Sequence, residues 1–390
     1  MRGKDSAARL SSRRLRRAFY LVMLAVLIGL LVSVWSWVDA QVRAAVVISS
    51  VLEAPLLTPG VELVSGEPGF EDVSVAGNPA LVARPAGEGP WPAIFLVNGT
   101  VPEGRKLPEV RNLADGLARA GYIVVVPDLP GLTEDKITPE TASETVDVVR
   151  EVSERPDVEE DQVTLVGVST GAALALLAAE DPALRGKVSL VAGVAPYSNI
   201  KTVLNVATTG HYRRPGGELV RYQADPFLSY VVARSLVAAL PPGEDKLTLS
   251  AELEKVGRQS PDPLSGLRSR RTDDLGVGAR SVVRLLANRN PERFAALYAD
   301  LPKYVRHDLE ELSPLAGTGR IRVPVELVTG PHDKYFPPSQ SYELKRIASQ
   351  RRVTVTKALD HAKLEDSPGD VPAFATFDAF VVRSLRTSRA

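Results

Sequence analysis

Val163-Thr-Leu-Val-Gly-Val-Ser169-Thr-Gly-Ala-Ala-Leu-Ala-Leu-Leu-Ala-Ala179 is the stretch that decides how the remaining residues are read. A short β-branched run, then Gly167-Val-Ser-Thr-Gly171, then small and aliphatic residues up to Glu180 predict a strand, a sharp turn and a buried helix. A serine at such a turn is pushed out of the sheet edge on strained backbone. Gly167 and Gly171, two residues before and after it, let the flanking backbones pass without a Cβ clash. The first turn of the helix aims free N–H groups and a positive dipole end at whatever that serine meets. A glycine-rich turn whose serine only caps the helix is the plainer alternative, but the strand before and the Ala/Leu helix after favour a nucleophilic turn.

Working outward, the same alternation recurs. Phe70–Ala76 and Ala80–Arg84 flank Gly77-Asn-Pro79 and predict an antiparallel pair. Ala93–Val97 predicts a continuous apolar strand, Tyr122–Asp128 another buried one, and Val163–Val168 and Lys187–Val194 the next two, with helices expected over 107–120 and 139–155 between them. This is an α/β pattern: a mostly parallel, doubly wound sheet covered by helices on both faces. The regularity stops at Pro196. Helical patterns broken by Pro215-Gly-Gly217, Pro241-Pro-Gly243 and Pro261-Asp-Pro263 follow. It resumes with a strand at Val323–Thr329, a helix over 338–349, a strand at Arg352–Lys357 and a last helix from Pro372 to Leu385. An insertion between two strands of one sheet stands over the strand ends, so 197–312 is expected to be a helical cap, with the core split into 66–196 and 313–390.

The N-terminus differs from all of this. Residues 1–17 carry Arg2, Lys4, Arg9, Arg13, Arg14, Arg16 and Arg17 against Asp5. Ala18–Val38 then holds no charge, enough for a helix of about 31 Å, with Tyr20 at one end and Trp35 and Trp37 at the other, as interface aromatics sit. The expectation is a basic cytoplasmic tail (1–17), a single transmembrane helix in the lipid bilayer (18–38), a connector (39–65), and a remainder outside the cytoplasm. Cleavage near Ala40, giving a secreted protein, and a buried core helix are the rival readings, the basic flank standing against the second.

Composition narrows the chemistry. Lys+Arg and Asp+Glu are both 47, which argues against a nucleic-acid partner. No cysteine is present, so thiol chemistry and thiolate metal sites are excluded. The four histidines are scattered and no His-Glu-x-x-His occurs, so neither metal nor cofactor is expected. A serine hydroxyl needs a base, and the base needs an orienting partner. His211 and His307 lie in the cap; His332 precedes Asp333; His361 follows the last strand, at the sheet edge where Ser169 is expected. Asp333, in Gly330-Pro-His-Asp-Lys-Tyr-Phe-Pro337, follows the preceding strand at the same edge. Asp360 is beside His361 in sequence, but adjacent side chains on an extended loop point apart, and Asp128 fits better as the residue ordering its Pro-Gly turn.

With those residues in place, the chain from about residue 70 to its end resembles the α/β-hydrolase fold. Ser169, Asp333 and His361 stand in that family's order of nucleophile, acid and histidine. Gly121-Tyr-Ile-Val-Val-Val-Pro-Asp-Leu-Pro-Gly131 and Leu312-Ser-Pro-Leu-Ala-Gly317 are similar to family phrases. The resemblance implies a serine hydrolase, most often of carboxylic esters, with backbone N–H groups of Thr170 and Thr100 as the oxyanion hole. It implies a small-molecule ester or acyl substrate. Acyl transfer, or amide or peptide cleavage, by the same triad, and a binding module that has lost turnover, are the alternatives. Asn98-Gly99 departs from the His-Gly common in the family, so different hydrogen bonds are expected to hold that loop.

Overall fold

The computed structural model describes residues 34–52, 65–317, 321–346, 348, 350–364 and 370–389. Its strands are β1 (Gly69–Val75), β2 (Asn78–Arg84), β3 (Trp91–Val97), β4 (Ile123–Pro127), β5 (Val158–Val168), β6 (Val188–Val194), β7 (His211–Arg213), β8 (Leu219–Arg221), β9 (Val325–Thr329), β10 (Arg351–Val355), and the short pair β11 (Leu359–Asp360) and β12 (Lys363–Leu364). Eight of them form one sheet in the order β1-β2-β4-β3-β5-β6-β9-β10. β1 and β2 pair antiparallel, β2 meets β4 antiparallel, and every later pairing is parallel. β5 starts five residues earlier than its apolar run suggests, because Trp91 of β3 pairs with Val158 across an irregularity in register.

Side-chain alternation sends one set of each strand to either face. Ala93, Phe95 and Val97 of β3, with Val163 and Leu165 of β5, pack under helices Pro139–Ser153 and Thr170–Glu180. Helix Thr170–Glu180 has no polar face, which suits its central buried position. Ile94 and Leu96 face the other way, toward helices Pro108–Arg119 and Val371–Thr387.

A third helix, residues 34–51, joins that second face. Ala40, Ala44 and Val47 are buried against the group that includes Ile94, Val110 and Leu117. The Arg43 guanidinium donates to the Ala120 carbonyl, and the Gln41 amide donates to Asp378 at 2.9 Å. The connector, apolar enough from Ala44 to Leu57 to continue a helix or lie on a membrane, is over 39–51 a helix seated on the domain. Its small residues at 40 and 44 make a flat stripe that suits a protein surface as well as a membrane, which is why periodicity alone did not separate the two. No described helix is long and apolar enough to cross a membrane. Most of the apolar run 18–38, and the whole of 1–17, lies outside the described residues.

Between β6 and β9 the chain builds a layer with its own core, in which Leu204, Leu236, Leu249, Val282, Leu286 and Val305 are all buried. Its entry and exit are tied together. The Ile200 amide donates to Ser313 Oγ at 3.1 Å and the Leu315 amide to the Ser198 carbonyl at 3.0 Å. Buried Gln340 closes the neck, its Oε1 accepting from the Ser198 amide, the Ser198 hydroxyl and the Asn199 amide at 3.2, 3.0 and 3.1 Å. The layer is not wholly helical, since Pro215-Gly-Gly217 turns the β7–β8 hairpin. The helix expected over 338–349 is also shorter, Ser339–Glu343 followed by a 3-10 turn at Leu344–Arg346.

Gly116 marks where helix 34–51 meets helix Pro108–Arg119: a Cβ there would lie 2.9 Å from Ser50 Cβ and 3.0 Å from Val47 Cα. On a free helix surface Gly→Ala would stabilise by about 1 kcal/mol. Here the two backbones must part, at a cost of about 1–3 kcal/mol. Gly116→Ala is therefore expected to lower the urea midpoint; a raised midpoint would show that helix 34–51 does not sit there.

Candidate active site

Ser169 lies between β5 and helix Thr170–Glu180 with φ 57° and ψ −124°, a conformation that costs a non-glycine residue about 1–3 kcal/mol. Its neighbours hold it there. The Ser169 amide donates to the Val194 carbonyl of β6 at 2.8 Å. A Cβ on Gly167 would come within 2.4 Å of Ala172 Cα, and one on Gly171 within 2.2 Å of the Asn98 carbonyl and 2.3 Å of the Val97 carbonyl. Both glycines are thus demanded by backbone contact, and the helix start presses directly on the end of β3.

That contact brings two loops side by side. Thr100 Oγ1 lies 3.4 Å from Thr170 Oγ1, both residues buried. Neither the Thr100 nor the Thr170 amide finds a backbone acceptor among the described residues. The unusual Asn98 holds its loop by a local bond: its Oδ1 accepts from the Gly99 amide at 2.8 Å. Its Nδ2 is buried without a partner among the described residues. Gly99 leaves room beside the serine, since a Cβ there would stand 3.3 Å from Ser169 Cβ and 3.8 Å from Oγ.

His361 and Asp333 meet at the same edge. His361 Nδ1 is 2.8 Å from Asp333 Oδ2, with the residues 5% and 3% exposed. A carboxylate only accepts, so Nδ1 carries the proton and Nε2 is the ring nitrogen left for other work. Asp333 Oδ1 accepts from the Tyr335 and Phe336 amides at 2.8 and 2.9 Å, which fixes the carboxylate plane. His361 itself has φ 56°, and Gly330 allows its loop to close over β9, where a Cβ would be 2.4 Å from the Leu359 carbonyl. Ser169, His361, Thr100 and Thr170 all line one cavity of about 400 Å³.

Aromatic rings brace the imidazole. Tyr335 meets it edge to face at 4.6 Å between centroids, and Phe336 at 5.9 Å. Burial, with the nearby carboxylates of Asp225, Asp333 and Asp360, pushes the Tyr335 phenol up to about 12, so it stays a neutral ring. Tyr222, just after β8, donates its hydroxyl to the Asp333 and Phe336 carbonyls. Burial, then the Asp333 charge, holds its phenol well above the usual range, so it remains a donor. No motif marked Tyr222, because its contact joins segments more than a hundred residues apart.

The other histidines and the neighbouring aspartates are placed differently. His332 is exposed, His211 Nδ1 bonds to the Thr209 carbonyl at 2.8 Å, and His307 faces Glu311. Asp360 lies 3.7 Å from Lys334 Nζ. Asp128 does more than order a turn, accepting from the Arg105 amide at 2.7 Å and pairing with its guanidinium beside the loop that carries Thr100. No group of three or more metal-ligating side chains occurs among the described residues.

Residues 94–373 match the sequence profile of the alpha/beta hydrolase family. No curated protein matches the chain. Solved structures similar to it include a thermostable carboxylesterase cloned from a metagenomic library, at 16% identity and TM-score 0.44, covering 90% of this chain and 97% of that one. A Mycobacterium smegmatis proline iminopeptidase has 17% identity and TM-score 0.43, with 82% and 98% covered. A 2,6-dihydroxy-pseudo-oxynicotine hydrolase has 14% and 0.43, with 85% and 71% covered. Likenesses this distant do not select a substrate.

Tyr222→Phe removes the donor from two carbonyls of the Asp333 loop. If that loop positions the imidazole, kcat/KM for a small ester falls by about ten- to a hundredfold, the equivalent of 1–3 kcal/mol. Unchanged kinetics would mean that the loop holds itself.

Proposed function

Because the chain belongs to the alpha/beta hydrolase family, we propose that it is a serine hydrolase of carboxylic esters, working through an acyl-enzyme on Ser169. The observation that carries this reading is the buried His361–Asp333 pair at 2.8 Å, whose imidazole lines the same cavity as the serine of the strained turn. In the first half-reaction Ser169 Oγ attacks the ester carbonyl while His361 Nε2 takes its proton. Asp333 keeps the imidazole in that tautomer and stabilises the imidazolium. The oxyanion of the tetrahedral intermediate is received by the amides of Thr170 and Thr100, each worth about 2.7–4 kcal/mol to the transition state. His361 returns the proton to the departing alcohol. In the second half it activates a water that releases the acid and restores Ser169.

Ser169→Ala should lower kcat on p-nitrophenyl butyrate by about 10⁴-fold or more, and Asp333→Asn by a similar order through the wrong tautomer. Wild-type turnover in Ser169→Ala would overturn the reading. Acyl transfer is separated by product analysis with an added alcohol: a new ester replacing the free acid marks a transferase.

The reading extends to anchoring at a membrane with the catalytic domain outside the cytoplasm. Supporting it are the basic tail, the uncharged run 18–38, and the exposure of Val34, Trp35, Trp37 and Val38 where helix 34–51 leaves the domain. The full chain should stay with membranes through alkaline carbonate extraction and be open to protease from outside the cell. Release into the supernatant would contradict anchoring.

A further inference from the structure

The cavity at Ser169 does not stay at the mouth. It runs back from the sheet edge along the face covered by helices 34–51, Pro108–Arg119 and Val371–Thr387, the face away from the elbow helix. On β5 it is lined by Val168, Val166 and Thr164, so it reaches about 16 Å behind Ser169 at strand spacing. The buried side chains of this face accordingly form two separate groups. One centres on Leu96, Leu117 and Val47 and the other on Ala192, Val328 and Phe380. Val166, in a middle strand of the sheet, touches both groups and yet is only partly buried. A well-packed interior would close that gap, because unfilled apolar space costs stability in proportion to its volume.

The gap has polar and apolar ends. Around the mouth are Ser169, His361, Asp360 and Lys334. Deeper, the hydroxyls are already satisfied within the protein. Ser384 donates to the Phe380 carbonyl, Ser388 bonds to the Leu385 carbonyl and Tyr122, and Thr164 Oγ1 lies 3.2 Å from Ser189 Oγ. A polar group pushed into this end would lose its water and meet only hydroxyls whose protons are already committed. An aliphatic chain would gain roughly threefold to fourfold in binding for each methylene buried.

Resting on the ester-hydrolase reading, we infer that this channel holds the acyl chain of the substrate, so that the enzyme acts on esters of long aliphatic acids. The carbonyl sits at Ser169 and the chain lies between the sheet and helix 34–51, which forms part of the wall through Val47, Ile48 and Val51.

The test uses the full chain with p-nitrophenyl butyrate and p-nitrophenyl laurate, and compares the wild type with Val166→Phe and Val381→Trp, which fill the channel from opposite walls. Expected is a laurate-to-butyrate kcat/KM ratio above ten in the wild type, cut at least tenfold in both variants. Labelling of Ser169 by a small fluorophosphonate checks that each variant is folded. A butyrate-preferring wild type, or an unchanged ratio in two variants that still label, overturns the inference and leaves ester hydrolysis standing. Should neither ester be cleaved, displacement of a fluorescent fatty acid from the full chain decides. Binding lost in both filled variants supports the channel, and absence of binding in the wild type overturns it. Laurate ester free in solution and dilauroylglycerol in phosphatidylcholine vesicles distinguish the source of the chain. Turnover of either supports the channel, and cleavage of neither beside brisk butyrate turnover counts against it.

Discussion

The approach of the Gly171 backbone to the carbonyls of Val97 and Asn98 is the contact on which the rest of the site depends. A side chain at 171, or at 167 behind it, would lift the helix start off the end of β3. Ser169 would then relax from its positive φ, and the Thr100 and Thr170 loops would separate. Burial of helix Thr170–Glu180 among the apolar side chains of β3, β5 and β6 offsets that strain. The reactive geometry is therefore supplied by the core and not by the loops that display it.

A second dependence links the inserted layer to the Asp333 segment. Tyr222 and Asp225 both belong to the insertion. The first donates to the carbonyls of Asp333 and Phe336, and the Asp225 amide donates to the Lys334 carbonyl at 2.7 Å. The segment that orients His361 is thus clamped from above by the cap and from below by Gly330. Helix 34–51 acts on the opposite side, where it completes a wall of the cavity.

Much of this was legible in the sequence for identifiable reasons. Strands buried on both faces are unbroken apolar runs, so β3 and β4 stand out, and a strand-to-helix turn confined by backbone contact needs glycines at two fixed offsets. With four histidines in the chain, the search for a base was short. What stayed hidden depends on contacts between distant segments. Tyr222 and Gln340 carry no local signature, and the start of β5 is acidic and is held by pairing with Trp91. The hairpin at Pro215-Gly-Gly217 has strands of three residues each, too short for a period to show. A stripe of small residues on helix 34–51 reads alike whether a bilayer or a protein covers it.

If His361, held by Asp333, activates Ser169, the site and rate of reaction with a fluorophosphonate will show it. Intact mass and peptide mapping should find a single adduct, on Ser169, formed quickly in the wild type, far more slowly in Asp333→Asn and not at all in Ser169→Ala. A folded wild-type protein that takes no label, or takes it at another residue, would contradict the account.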